Sequence, residues 1–332
     1  MQERILGKTG LAVSEVALGG LFVASFASPL DRARRTVSRA LDLGITYVDT
    51  APTYGNSEEV LGACLGDERR PLILSTKLGG RPQPFKPQDR DCLMASVQES
   101  LRLLRRSQVD ILMVHEPDRP GQYDWWTDWE KVEGPVLDVL EELKARGTIR
   151  FTGIGGTTCH ELAHVIRSGR FDVVLTAYNY SLLWREAELE VIPAARDLGM
   201  GIILGSPLQQ GALSRRYDEQ IARGASWLSK PRREQFRALY TFLDEIAMPI
   251  DEVGLRSVLS NPSVSTVLMG ATAPEEIERS VNAAGKGPLP DRIKARLDEI
   301  AAMVPFRPFE EPAGLGWLLA SAGPRKGPEA VR

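Results

Sequence analysis

Residues 44–55, GITYVDTAPTYG, decide the reading of the fold. Ile45, Tyr47 and Val48 make a short apolar run of strand type, and Pro52 and Gly55 break it into a loop. A carboxylate, Asp49, stands at the break. Two later segments repeat the arrangement: LILSTKLGG (72–80) carries Lys77 at the end of an apolar run, and VDILMVHEPD (109–118) carries His115 at the end of another. In a closed parallel barrel of alternating strands and helices, such ends converge on one mouth, where the active sites of that architecture lie. Tyr54, in the loop just after Asp49, joins them.

The rest of the chain keeps the alternation. Residues 4–6 and 11–13 flank GKTG and read as a β-hairpin. Strands follow at 16–18, 45–48, 72–76, 109–114, 149–154, 172–176, 201–204 and 265–269. Between them lie helical spacings such as Leu93, Val97, Leu101, Leu104 and Val136, Leu137, Leu140, Leu143. Ser28-Pro29 reads as an N-cap with proline at the first helical position, opening the helix that carries Ala33, Val37 and Ala40. The count is eight strands in βα order, so the expected fold is an α/β protein, a (β/α)8 TIM barrel. It spans about residues 16–284 of one 332-residue domain, with a C-terminal helix and tail from about 290.

Composition bounds the function. With 43% hydrophobic and 26% charged residues the chain can fill a large core. A net charge of −3 gives no footprint for nucleic acid. Cys64, Cys92 and Cys159 are too few and unpatterned for a disulfide framework or a zinc set. No stretch resembles a signal peptide or membrane span, so a soluble cytoplasmic enzyme acting on a small molecule is expected, with no nucleic acid or membrane partner.

The segments GKTGLAVSEVALGG, ALDLGITYVDTAPTYGNSEEVLG, LILSTKLGG, DILMVHEPD, YNYSLLWRE and IILGSPLQQGAL, in this order, resemble the aldo-keto reductase family over most of the chain. The resemblance implies a catalytic tetrad of Asp49, Tyr54, Lys77 and His115, and hydride transfer between a nicotinamide dinucleotide and an alcohol or carbonyl carbon. The residue chemistry is consistent with those roles. Tyrosine serves as proton donor or acceptor, but with an ordinary pKa of about 10 it needs a cation to favour phenolate. Lys77 is placed to supply that charge, Asp49 to hold the ammonium, and His115 to orient the substrate oxygen.

The same resemblance implies cofactor contacts by Gly20, Leu21 and Asp49, by Ser206, Pro207, Leu208, Gln210, Gly211 and Leu213, and by Gly270, Ala271, Thr272 and Glu276. Substrate contacts are expected from Phe22, Tyr54 and His115, and from Trp125 and Trp126 in the long loop 116–131, where the alternative is that the tryptophans pack that loop on the barrel rim. A second long loop spans 209–225. Phe306, Phe309 and Trp317 suggest a tail folding over the mouth, and residues 323–332 read as disordered.

Several positions depart from the common family pattern. Gly155 and Gly156 replace a Ser-Asn pair, Leu175 a frequent glutamine, Gly205 an aromatic that often stacks on nicotinamide, and Thr272 and Glu276 a phosphate-binding arginine and its neighbouring glutamine. These changes tilt the resemblance toward the branch of NAD-dependent sugar and pyridoxal dehydrogenases. NAD is expected over NADP, because Glu275, Glu276 and Glu278 repel an extra phosphate, with Arg279 as the cation that complicates the reading. The rival readings are a broad NADPH-dependent aldehyde reductase and a non-catalytic dinucleotide-binding regulatory subunit; the complete tetrad argues against the latter.

One motif competes. HELAH (160–164) matches the HExxH pattern of zinc proteases. At about 100° per residue, both histidines fall roughly opposite Leu162, Val165 and Ile166. They therefore face away from the apolar side. Glu161 reads as a capping-box partner of Thr158, and Thr272 with Glu275 reads as a second box. No metal is expected.

Overall fold

The computed structural model describes residues 1–66, 68–119, 121–224 and 228–305, and of Gln210 the backbone only. The tail residues Phe306, Phe309 and Trp317 and the segment 323–332 lie outside the described residues.

The chain opens with an antiparallel hairpin, β1 (Glu3–Ile5) and β2 (Ala12–Ser14). The barrel then runs β3 (Val16–Gly19), α1 (Leu30–Asp42), β4 (Tyr47–Asp49), α2 (Ser57–Leu65), β5 (Ile73–Leu78), α3 (Arg90–Leu104), β6 (Val109–His115), α4 (Pro135–Ala145), β7 (Ile149–Gly156), α5 (His160–Arg167), β8 (Val173–Ala177), α6 (Val191–Asp197) and β9 (Gly201–Gly205). Helices α7 (Asp218–Arg223), α8 (Lys230–Ile246) and α9 (Ile250–Leu259) precede β10 (Thr266–Gly270). Helices α10 (Pro274–Gly285) and α11 (Asp291–Ala302) follow. Strands β3 to β10 are parallel and close into a barrel through the β10–β3 pair. The fold is the expected (β/α)8 barrel.

Two layers of apolar side chains hold it. Leu6, Val13, Ala17, Tyr47, Ile111, Val173 and Ile203 fill the barrel interior, and a larger cluster lies between strands and helices. Leu6 and Val13 belong to the hairpin region, which therefore closes the N-terminal end of the barrel; the Lys8 amide donates to Gly199 O at 2.6 Å. Functional groups are left to the opposite end.

Local details differ from the sequence reading. Helix α1 starts one residue later than expected: Pro29 is its N-cap, and the Ser28 hydroxyl instead donates to Thr272 O at 3.0 Å. Helix α5 begins at His160, and the Thr158 hydroxyl donates to Asp118 Oδ2 at 2.7 Å, so the Thr158–Glu161 capping box does not form. The loop 209–225 contains α7, and α8 and α9 lie where no helix had been read. The positions buried on α8, Phe236, Leu239, Tyr240 and Leu243, have helical spacing and pack with Ile293, Leu297 and Ile300 of α11. This second core is outside the barrel wall. Among the described residues, no helix is long and apolar enough to cross a membrane.

Helix α2, which follows the Asp49–Tyr54 loop, is held at close range against the end of α3. A Cβ on Gly62 would stand 1.9 Å from Leu103 O, so only glycine permits this approach. Gly62→Ala is expected to cost about 2 kcal/mol through forced backbone displacement. Thermal melting should show a drop of several degrees, whereas Gly285→Ala, whose added carbon meets nothing within 4 Å, should leave the melting temperature unchanged or slightly raised.

Candidate active site

Strand alternation builds the site. Successive side chains of a strand face opposite sides, so Tyr47 and Asp49 share a face of β4, Ile73, Ser75 and Lys77 a face of β5, and Ile111, Met113 and His115 a face of β6. In register, Asp49 pairs with Ser75 and Lys77 with Met113. Each interior column is therefore apolar at the base and polar at the C-terminal end. Lys77 Nζ donates to Asp49 Oδ2 at 2.5 Å and to Thr50 O at 2.8 Å, and the Ser75 hydroxyl donates to Asp49 Oδ1 at 2.6 Å. The Tyr47 hydroxyl continues the chain to Ser75 at 2.8 Å.

Tyr54 and His115 complete the cluster. The Lys77 ammonium lies 4.8 Å from the Tyr54 ring centre. The Tyr54 and His115 rings meet edge to face at 6.0 Å. His115 Nδ1 is 3.4 Å from the Thr53 hydroxyl. Thus the structure brings all four sequence-predicted residues together.

Burial dominates the electrostatics. It pushes the Tyr54 phenol above its ordinary pKa; Lys77 opposes this but does not overcome it, and Asp49 adds to the rise. Lys77 acts on the phenol in the expected direction, favouring phenolate, but desolvation outweighs it, and the phenol is neutral at neutral pH. For Lys77 burial works against the charge, yet Asp49 and Tyr54 more than offset it, and its pKa is raised. Burial and the Lys77 charge push His115 down to about 3, so its ring is neutral.

A cavity of about 970 Å³ begins at Asp49 and Tyr54 and runs across the barrel mouth. Gly20, Leu21 and Phe22 form one wall, and Ser206, Pro207, Leu208 and Gly211 another. The far end reaches Gly270, Thr272 and Glu276 at the start of α10. The sequence matches the Aldo/keto reductase family profile over residues 16–302. The chain belongs to the aldo/keto reductase family. It is 28% identical to the L-galactose dehydrogenase of Arabidopsis thaliana, covering 94% of this chain and 97% of that one. It is 27% identical to the pyridoxal 4-dehydrogenase of Microbacterium luteolum, covering 84% and 92%. A solved aldo-keto reductase from Bacillus halodurans, in its holo form, superposes with a TM-score of 0.74 at 25% identity, covering 94% of this chain and 99% of that one.

This aldo/keto reductase is accordingly an oxidoreductase of a family that uses nicotinamide cofactors and acts on alcohol and aldehyde groups. The groove suits an elongated dinucleotide in volume and lining: it joins the Tyr54 cluster to a helix N-terminus and carries the hydroxyls of Ser206 and Thr272. Gln209, fully buried in the 206–211 turn, leaves its Oε1 without a hydrogen-bond partner.

Two departures from the family pattern have neighbours that fill the space. A Cβ on Gly205 would stand 3.2 Å from both Ala177 Cβ and Leu175 Cδ2, a tight fit that a larger side chain would enter only by displacing them by a few tenths of an ångström. A Cβ on Gly156 would stand 2.5 Å from Asp118 Oδ1, so the Asp118 carboxylate occupies the place of the missing asparagine. Asp118 accepts from the Thr157 and Thr158 amides at 2.9 and 2.7 Å, and its Oδ1 is buried without a partner.

Some expected contacts lie elsewhere. Leu213 and Ala271 are buried in the two cores, outside the cavity wall, because their side chains point into packed helices and strands. The Gln210 side chain is outside the described residues. Trp125 and Trp126 do not line the cavity: both are buried, and their indoles donate to His115 O at 2.9 Å and Pro117 O at 2.8 Å. They brace the backbone behind His115, which matches the rim-packing alternative. The Thr272–Glu275 box is replaced by Glu276, whose Oε2 accepts from the Thr272 amide at 2.7 Å and hydroxyl at 3.2 Å, because α10 starts one residue later, after Ala273. Arg279 faces Asp251 at 3.9 Å rather than Glu275. Ser280 and Asn282 of α10 and Lys286 just after it also line the far end and are not among the sequence-predicted contacts; only Ser280, four residues after Glu276, shares its helix face. In HELAH, His160 pairs with Glu190 at 3.1 Å, and His164 meets Trp129 O at 2.8 Å rather than solvent.

Glu116 was also missed. Burial and Asp118 push it up from 4.5 to about 6. A carboxyl raised on folding favours the protonated state, so this contribution is present below the unfolded value and is lost as pH rises through about 6. Urea titrations from about pH 4 to about pH 7 should show stability falling by up to about 2 kcal/mol from this group. Glu116→Gln should flatten that interval.

Proposed function

We propose that this protein transfers hydride between a nicotinamide dinucleotide and the alcohol or carbonyl carbon of a sugar-like or otherwise polyhydroxylated small molecule, with Tyr54 giving or taking the substrate proton. The observation that carries the reading is the Tyr54–Lys77–Asp49–His115 cluster, whose Asp49 and Tyr54 line one end of a groove of about 970 Å³ that reaches Thr272 and Glu276. Gly20, Leu21, the 206–211 turn, Gly270, Thr272 and Glu276 would hold the dinucleotide, which when bound supplies or accepts the hydride.

The side chains handle the proton. In reduction the neutral Tyr54 phenol donates to the substrate oxygen, and the Lys77 ammonium stabilises the phenolate left behind. Asp49 fixes that ammonium through Oδ2, while its Oδ1 is itself held by the Ser75 hydroxyl. The neutral His115 ring, with its Nδ1 beside the Thr53 hydroxyl, would hold the same substrate oxygen through an Nε2 proton. In oxidation Tyr54 must first lose its proton, so the rate should climb with alkaline pH. The similarity to an L-galactose dehydrogenase over 94% of the chain supports the sugar-like substrate.

NAD is the preferred cofactor in this reading. The cations near the adenosine end are already matched with carboxylates from α9: Arg279 with Asp251 at 3.9 Å and Lys286 with Glu252 at 2.5 Å. Glu276 would repel the additional phosphate of NADP, and its second oxygen remains available for a ribose hydroxyl.

Tyr54→Phe is expected to lower kcat at least about 100-fold. Fluorescence titration should find dinucleotide affinity within a few-fold of wild type; near-normal turnover would overturn the role of Tyr54. Thr272→Arg with Glu276→Gln should shift the ratio of NADP to NAD affinity upward by about tenfold or more. A wild-type protein that binds NADP more tightly than NAD in the same titration would contradict the preference.

A further inference from the structure

We propose that Glu116 is a specificity-determining residue of this site, its carboxylate accepting a hydrogen bond from the hydroxyl on the carbon next to the reacting one. The substrate class is then a 2-hydroxy aldehyde, or the corresponding vicinal diol, in preference to a simple aldehyde or alcohol. This rests on the hydride-transfer reading above and assigns the part of the substrate that Glu116 recognises.

The geometry begins in the backbone. Glu116 adopts a left-handed conformation, φ 50°, directly after the strand that carries His115, and its amide donates to Gly155 O at 2.7 Å. On a continuing strand the residue directly after His115 would face the opposite side; this turn brings the carboxylate back beside the imidazole. Glu116 Oε1 stands 4.0 Å from His115 Nε2, too far for a direct hydrogen bond. The interval suits a pair of oxygens on adjacent carbons, one held by Nε2 and the other by Oε1.

The two carboxylate oxygens have different surroundings. Oε2 accepts from the Thr157 hydroxyl at 2.9 Å and faces Arg119 Nε at 3.4 Å. Among the described residues, Oε1 accepts no hydrogen bond, and the side chain keeps 13% exposure. A carboxylate anchored on one oxygen and open on the other is arranged to receive a donor. An ion pair with Arg119 alone would not require this, because that side chain is 45% exposed and touches only the anchored oxygen.

A pH signature separates Glu116 from its neighbours. It is held at about 6 by burial and by Asp118, against the opposing influence of Arg119 and of Lys77 from β5. Tyr123 lies on the same loop and its phenol is pushed upward, while His115 is neutral above about 3. Lys77 stays charged. Glu116 is thus the group facing this point that changes charge near pH 6, and ionisation strengthens its hydrogen bond to a hydroxyl.

The test uses the full-length protein with NADH and with NADPH, and compares reduction of glyceraldehyde, which carries a 2-hydroxyl, with reduction of propanal, which does not. Wild type should show a kcat/KM ratio favouring glyceraldehyde that rises with pH through about 6. Glu116→Gln should lower that ratio about tenfold, mainly through KM for glyceraldehyde, and remove its pH step. Glu116→Asp, which retracts the charge by one methylene, should lower the ratio while keeping a step, and it decides the matter if the glutamine variant fails to melt cooperatively. A Glu116→Gln protein with the wild-type ratio and pH step overturns the assignment to Glu116 and leaves the polyhydroxylated-substrate reading standing. A wild-type protein with no preference for glyceraldehyde overturns that reading and this assignment together.

Discussion

The buried ion pair of Lys77 and Asp49 is the constraint on which the site depends. Two charges with 1% exposed side chains carry a desolvation cost that only close geometry and further hydrogen bonds offset. Here the further bonds come from Ser75 and from Thr50 O, both fixed by the β4–β5 register. Slipping that register by one residue would turn Lys77 to the outer face and leave Asp49 buried alone. Barrel closure, strand alternation and the N-terminal hairpin that fills the opposite end all serve to keep this pair dry and in place. Its charge then sets its neighbours, since Lys77 lowers His115 and is itself held charged by Asp49 and Tyr54.

The departures from the family pattern form a coherent set once side chains are in place. At the floor of the cavity, Leu175 and Ala177 crowd the position where an aromatic would project from residue 205. On the opposite side, Asp118 fills the space beyond Gly156 and binds the Thr157 and Thr158 amides. The glycines are therefore not gaps. They allow residues from neighbouring loops to enter, and one consequence is that Asp118 acts on Glu116, which stands beside His115 and whose carboxyl carries a raised pKa.

The tryptophans of the long loop show how burial settles a choice that residue type leaves open. An indole suits a substrate wall and a packed rim equally well. With Trp125 fully buried and both indole N–H groups bonded to backbone carbonyls around His115 and Pro117, these side chains stiffen the segment that presents His115 and Glu116.

By itself the sequence determined the eight-strand alternation and the grouping of Asp49, Tyr54, Lys77 and His115, because strand period and strand-end position are local properties that parallel closure converts into proximity. It also placed Ser206, Thr272 and Glu276 along one groove through the family resemblance. It did not determine where α5 and α10 begin, since Asp118 and Glu276 capture Thr158 and Thr272, the groups expected to cap, nor did it determine the partner of Arg279. The Thr158 and Arg279 outcomes depend on side chains from the loop after β6 and from α9, brought close only by folding, whereas the Thr272–Glu276 contact is local to the start of α10. The tertiary structure likewise decided the direction of the Tyr54 shift. The sign follows from competition between desolvation and the Lys77 charge, and the depth of burial that lets desolvation win is a property of the closed barrel.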